Sequence, residues 1–174
     1  MTNLERQPIG NRLLRGLHRG YAELVNEVAV ADRREPARID SETGWSLRDH
    51  LAHVAAWEAI ELARAEGRSG LPEHFDMLAE VAFRRRRGGP LAEAMERFTA
   101  VHRRLVAVLT DLPETSLRRP WSAAYPDSLA ANIARNTYRH YAEHLPAVRR
   151  LAASLPEPSV KTAARGSRQH RPSL

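Results

Sequence analysis

The sequence contains two histidines four residues apart, His140 and His144, whose residue type and spacing are suited to binding a metal ion. On an α-helix this spacing places both imidazoles on one face, about 6 Å apart along the axis, where they can bind one divalent ion. Asn136 precedes them by one turn, and all three interrupt an apolar stripe made of Leu129, Ile133, Val148, Leu151 and Leu155. A buried polar group is costly unless it is hydrogen-bonded or ligated. Three such groups in one stripe therefore indicate a shared purpose.

A metal site on these two histidines needs at least one more protein ligand. The segment GWSLRDHLAHVAAWE offers His53, on a helical face with Trp57 and Ile60, and His50 one turn earlier as the alternative ligand. A histidine packed in the core would give the same pattern without a metal, so both roles remain open at this point. Trp57 is expected either to line the pocket or to pack in the core. Asn136 is expected to orient a ligand or a bound water.

Apolar residues recur at three- and four-residue steps along most of the chain, which predicts amphipathic helices. These helices must therefore position the histidines. The sequence predicts helices over residues 11–31, 46–67, 90–112 and 128–155, with a short additional helix over 73–86. Ser46 is the expected N-cap of the second helix, with Asp49 completing an imperfect capping box. Pro146 is expected to kink the fourth helix. Since no strand is predicted, the fold class is an all-α four-helix bundle, and the gap of about 23 residues between helices two and three indicates a long crossover.

Composition restricts the function classes. The chain has 174 residues, a net charge of +6 and no cysteine, which excludes thiolate metal sites and disulfides. Residues 1–155 are expected to form one domain, and residues 156–174, which carry half of the net charge, are expected to form a basic, proline-rich disordered tail. The arginine block 84–87 is not interleaved with aromatic residues, so no nucleic-acid partner is expected. No apolar run or export signal is evident, which favours a cytoplasmic protein without a membrane partner.

The segments GWSLRDHLAHVAAWE and NTYRHYAEHLPAVR resemble the second- and fourth-helix signatures of the DinB-like (YfiT-like) superfamily. The resemblance extends over roughly residues 11–155. Related branches include mycothiol-dependent maleylpyruvate isomerases, bacillithiol transferases and bundle proteins that resist the genotoxin colibactin. It implies a four-helix bundle in up-down-down-up order, with a divalent metal held by His53, His140 and His144. It also makes a homodimer possible, since dimers are common in the superfamily.

Three neutral imidazoles would leave an open coordination position for water or a substrate group, and Zn or Ni is the expected metal. The first hypothesis is a metal-dependent enzyme, a transferase using a low-molecular-weight thiol or a hydrolase, that acts on a reactive small molecule in detoxification or stress. The alternative is a non-catalytic bundle that binds and sequesters such a molecule without metal. The isomerase activity is less expected, because the second domain of those relatives is not found in this sequence.

Overall fold

The computed structural model describes residues 8–34, 38–68, 89–122 and 125–153. The short helix expected over 73–86, the arginine block 84–87 and the tail from 156 lie outside these residues. Six helices and two strands are described: α1 (Ile9–Arg34), α2 (Leu47–Ala65), α3 (Leu91–Asp111), α4 (Glu114–Arg118), β1 (Pro120–Ser122), β2 (Tyr125–Ser128), α5 (Leu129–Ala134) and α6 (His140–Ala153). A π-helical turn, Arg135–Arg139, joins α5 to α6. The all-α bundle predicted from the sequence is confirmed.

The long helices bury the apolar stripes that the periodicity predicted. On α1 the buried positions are Leu13, Leu17, Leu24, Val28 and Ala31. This helix packs against α6, and α2 packs against α3. The predicted capping box of α2 is also confirmed, because the Asp49 amide donates to Ser46 Oγ at 3.3 Å and the Ser46 amide donates to Asp49 Oδ2 at 2.9 Å. These two hydrogen bonds stabilise the first turn of α2, which carries His50.

Helix α2 is buried nearly all round and carries charge into the bundle. Glu58 and Glu61 are fully buried and Arg64 is almost so. Glu61 Oε1 accepts a hydrogen bond from Arg64 at 2.6 Å, and Glu58 Oε1 lies 2.9 Å from His102 Nδ1. Each carboxylate therefore has a basic partner, as buried acids require. No described helix combines the length and the hydropathy that a membrane span needs.

The segment after α3 differs from the sequence-based expectation of an all-helical body. Strands β1 and β2 pair antiparallel, with Pro120 opposite Ser128 and Ser122 opposite Tyr125. The prolines at positions 120 and 126 explain the difference, because they disfavour helix and are tolerated at the edge of a short ribbon. The Leu129 amide then donates to the Arg119 carbonyl at 2.8 Å, which connects the ribbon to the start of α5.

The predicted fourth helix is interrupted before the histidines. Thr137 has φ −121° and ψ −107°, outside the helical region, whereas α6 continues through Pro146. The interruption thus lies nine residues upstream of Pro146, and the kink expected at Pro146 stays a prediction. The π turn lies directly on α1, because a Cβ built on Gly20 would meet Tyr138 Cβ at 2.8 Å and one on Gly16 would meet the Tyr138 ring at 2.7 Å. The two glycines of α1 therefore make room for the turn that precedes His140.

Candidate metal site

Three histidines from two helices meet at the start of α6. His53 comes from α2, and His140 and His144 come from consecutive turns of α6. One nitrogen from each ring can be chosen so that all three atoms lie within 4.8 Å of one another. The Nε2 atoms of His140 and His144 are 3.1 Å apart, and the ring centroid of His53 is 5.0 Å from that of His140 and 5.1 Å from that of His144.

These distances suit a shared divalent ion. Two nitrogens bound at 2.0–2.1 Å are about 2.8 to 3.0 Å apart in octahedral geometry and about 3.3 to 3.4 Å apart in tetrahedral geometry, so the observed Nε2 separation of 3.1 Å lies within the range of a ligand pair. The donor set consists of imidazoles alone, which suits Zn and Ni among other metals. Of the two candidates on α2, His53 is the one whose ring joins this group.

His140 and His144 are held in the neutral form that ligation requires. Burial, together with the neighbouring His140, His50 and His53, lowers the pKa of His144 to about 2. Burial also lowers the pKa of His140, although the Glu143 carboxylate and the Asn136 backbone partly oppose this shift. At neutral pH both rings therefore offer a lone pair without first losing a proton.

His50, the alternative ligand of the sequence, lies beside the triad rather than in it. Its Nδ1 is 2.8 Å from Nδ1 of His144, the nitrogen opposite the one that faces His140. Only 2% of His50 is exposed, and burial lowers its pKa to about 4, although Asp40 and Asp49 partly oppose the shift. The structure thus forms a four-histidine cluster in which His144 contacts both His140 and His50.

Two tryptophans enclose the cluster. Trp57 was singled out from the sequence, and its ring centroid lies 5.9 Å from that of His140 and 6.5 Å from that of His53. Sequence reasoning missed Trp45, whose ring is 5.0 Å from His53, 5.2 Å from His50 and 5.9 Å from His144. A signal for Trp45 was present: it directly precedes the N-cap, the position from which a hydrophobic residue packs onto the fourth helical residue.

The α1–α2 connection is fastened to α6 and shapes a cavity next to the histidines. Arg150 donates to both oxygens of Asp40, each at 2.9 Å, and Asp40 Oδ2 also accepts from the Thr43 amide at 3.0 Å. The cavity, of about 410 Å³, opens to solvent between this connection and α6 and is lined by Trp45, His50, Glu143, His144 and Arg150 among others. Its size lies within the range of small-molecule sites.

The remaining sequence candidates have other partners. The Asn136 side chain points to α2 and donates to Glu61 Oε1 at 2.7 Å, so it joins the buried acid rather than the triad. His102 pairs with Glu58 and stacks on Tyr21 at 4.0 Å between ring centroids. Glu143 is exposed and lines the cavity beside His144.

The comparisons with known proteins agree with this architecture. The family model of the DinB superfamily matches residues 15–146, which include all four histidines of the cluster. A crystal structure of an uncharacterised protein from Escherichia coli UTI89 superimposes with a TM-score of 0.66 at 16% identity, covering 86% of this chain and 96% of that one. Among curated proteins, no match was found. The family match spans well over half of the chain, and the chain therefore belongs to the DinB superfamily.

Proposed function

We propose that this protein binds one divalent metal ion, Zn or Ni, through His53, His140 and His144. We propose further that it is an enzyme, which uses this ion to act on a reactive small molecule. The convergence of three half-buried imidazoles, with ligand atoms within 4.8 Å of one another, is the observation that carries the proposal. Three protein nitrogens with a further position for a substrate group are typical of catalytic rather than structural sites.

The reaction class that fits best is transfer to a low-molecular-weight thiol, or hydrolysis. When bound, a divalent ion at this position would act as a Lewis acid toward a thiol or water. The protein's own contribution is two aromatic rings, Trp45 and Trp57, beside the histidines and an open cavity on the His144 side. A cavity of about 410 Å³ admits a small molecule but not a folded partner.

Polar groups of the cavity would orient the substrate. Glu143 is exposed at the cavity and carries a carboxylate on the turn of α6 that holds His144. Arg150 lies on the same side, but its guanidinium is committed to Asp40 and Glu42. The available charge at the opening is therefore that of Glu143, which suits a substrate or thiol that carries an amino group.

Metal content tests the binding half of the proposal. Protein purified without a histidine tag is dialysed against Zn or Ni, passed through a desalting column and analysed by mass spectrometry for metal per chain. We expect about one equivalent in the wild type and loss of most of it in His53→Ala, His140→Ala and His144→Ala. His18→Ala is the matched control, because His18 is exposed on α1 and outside the cluster. Wild-type protein that retains under a tenth of an equivalent contradicts the proposal.

Catalysis is tested separately with the metal-loaded protein. The assays follow consumption of a small thiol in the presence of a bimane electrophile, and hydrolysis of an activated ester. Activity that is present with metal, absent after chelation and restored by adding the ion back supports the enzyme. Stoichiometric capture of an electrophile that survives in a His53→Ala, His140→Ala double variant would instead identify the non-catalytic binding bundle.

A further inference from the structure

We propose that His50 is a positioning residue of the metal centre, which accepts a hydrogen bond from His144 and so keeps His144 in the tautomer that can ligate. This inference rests on the proposed function for its metal, but it concerns a contact that exists within the chain itself. The Nδ1 atoms of the two rings are 2.8 Å apart, and the rings are inclined at 71° with centroids 5.1 Å apart.

The contact permits only two proton arrangements between neutral rings. Two Nδ1 atoms at hydrogen-bond distance must share one proton, so either His144 donates and His50 accepts, or the reverse. If His144 carries the proton on Nδ1, its Nε2 has a lone pair, and this Nε2 is the atom that lies 3.1 Å from Nε2 of His140. If His50 donates, the proton of His144 is on Nε2, where it blocks ligation. Only the first arrangement is compatible with a metal held by the triad.

The surroundings of His50 leave it free to act as the acceptor. Its Nε2 is buried and has no hydrogen-bond partner within the described part of the chain. No second contact of His50 therefore fixes the opposite tautomer, and its contact with His144 decides where its own proton resides. The backbone of His50 is fixed as well, because it lies in the first turn of α2 beside the capping box, and its ring lies 5.2 Å from the Trp45 ring.

A neutral acceptor has a different effect on the metal from that of a carboxylate. A carboxylate behind a ligating histidine pulls its proton away and makes the ligand more basic, which lowers the positive charge that the metal presents to a substrate. The imidazole of His50 accepts the same hydrogen bond without adding negative charge. The arrangement thus orients His144 while preserving the Lewis acidity that the proposed reactions need.

Nuclear magnetic resonance of metal-free protein with ¹⁵N-labelled histidine reads the tautomer directly. We expect His144 in the wild type to carry its proton on Nδ1. In His50→Leu, which removes the acceptor at similar volume, we expect the Nε2–H form to appear, because it is the favoured tautomer of free histidine. His50→Asn places an amide oxygen near the former Nδ1 and should restore the Nδ1–H form. An unchanged tautomer in His50→Leu overturns the proposal.

Zn competition against a chromophoric chelator supplies the second readout. We expect His50→Leu to keep one metal per chain but to bind it about 10- to 100-fold more weakly, and His50→Asn to recover most of the affinity. Loss of the metal itself, to the extent seen in His53→Ala, would make His50 a ligand and refute the positioning role. Circular dichroism and thermal melts confirm that each variant is folded. If the wild type binds no Zn, the proposed function fails and with it the link to a metal, while the tautomer experiment still decides whether His50 sets the tautomer of His144.

Discussion

Because the π turn lies close to α1, we expect alanine at Gly16 or Gly20 to destabilise the protein. A Cβ on Gly20 would lie 2.8 Å from Tyr138 Cβ and 3.2 Å from Tyr138 Cα, and a Cβ on Gly16 would lie 2.7 to 2.9 Å from three ring atoms of the same residue. Ordinary carbon contacts are about 3.5 to 4.0 Å, so either alanine must push Tyr138 away by roughly 0.7 to 1.3 Å.

The magnitude follows from two opposing effects. Replacing glycine by alanine inside a helix contributes up to about 1 kcal/mol of stability, whereas overpacking costs about 1–3 kcal/mol. A Cβ at position 20 would meet Cβ and Cα of Tyr138, which cannot rotate away, and also the ring atom Cδ2 of Tyr141 at 3.2 Å. We therefore expect Gly20→Ala to lower the free energy of unfolding by about 1–2 kcal/mol, or to lower the Tm by about 2–8 °C.

Urea denaturation of a small set of variants separates the causes. Gly10→Ala is the matched control, because its Cβ would meet only ordinary contacts at 3.5 and 3.8 Å, and its unfolding free energy should stay within about 0.5 kcal/mol of the wild type. In a Tyr138→Ala background the ring is gone, so Gly16→Ala should become harmless. Gly20→Ala should remain destabilising there, since alanine keeps the Cα and Cβ of Tyr138. Equal rescue of both glycine variants would refute the packing argument.

Three further predictions concern polar groups that hold the scaffold of the site. The hydrogen bonds from Arg150 hold the pKa of Asp40 well below its ordinary value of 3.8, so the stability they contribute is present above pH 3.8 and disappears as the pH falls toward the folded-state pKa. Asp40→Asn should therefore be less stable than the wild type at pH 7, with the two unfolding free energies converging in acid. Burial raises the pKa of Glu58 above 4.5, so Glu58→Gln, which keeps an acceptor for His102, should gain stability relative to the wild type as the pH rises above about 4.5. Ser46→Ala should lower the free energy of unfolding by about 1 kcal/mol, because the Asp49 amide loses its cap.

Urea titrations between pH 2 and 8 check all three. A constant difference between Asp40→Asn and the wild type across this range would contradict the role of the ionised pair. A Glu58→Gln variant that becomes relatively less stable at high pH would mean that the carboxylate is favoured by its surroundings. Asp49→Ala is the control for the cap, since it removes the second half of the box and should affect stability in the same direction.

The fold could be predicted from the sequence because the signals are local. Apolar residues repeat with helical period along α1, and Pro90 and Pro113 lie just outside the ends of α3. His140 and His144 could be singled out for a related reason: polar residues in an apolar stripe violate the pattern that surrounds them. The second helix offered His53 and His50 as alternatives, and the resemblance to the DinB-like superfamily favoured His53. The structure brings His53, His140 and His144 together, while their role as ligands stays a prediction.

The rest depends on contacts between distant residues. The π turn at Thr137 depends on how α1 and the last helix approach each other, and a pair of glycines more than 100 residues upstream gives no local sign of it. Asn136 follows the helical stripe in the sequence, but it lies within the π turn, and there its side chain reaches Glu61 instead. The contact between His50 and His144 likewise joins two residues that lie 94 positions apart in the sequence, on different helices. Spacing within α2 therefore could not decide the role of His50.

X-ray absorption at the Zn edge tests the central claim most directly, because it reports the atoms bound to the metal. The sample is tag-free protein with one equivalent of Zn, compared with His140→Ala loaded under the same conditions. We expect a shell of three imidazole nitrogens at about 2.0–2.1 Å in the wild type, with one imidazole fewer in the variant. A shell made mainly of oxygen, or a spectrum that the substitution leaves unchanged, would contradict a metal centre built on the three histidines.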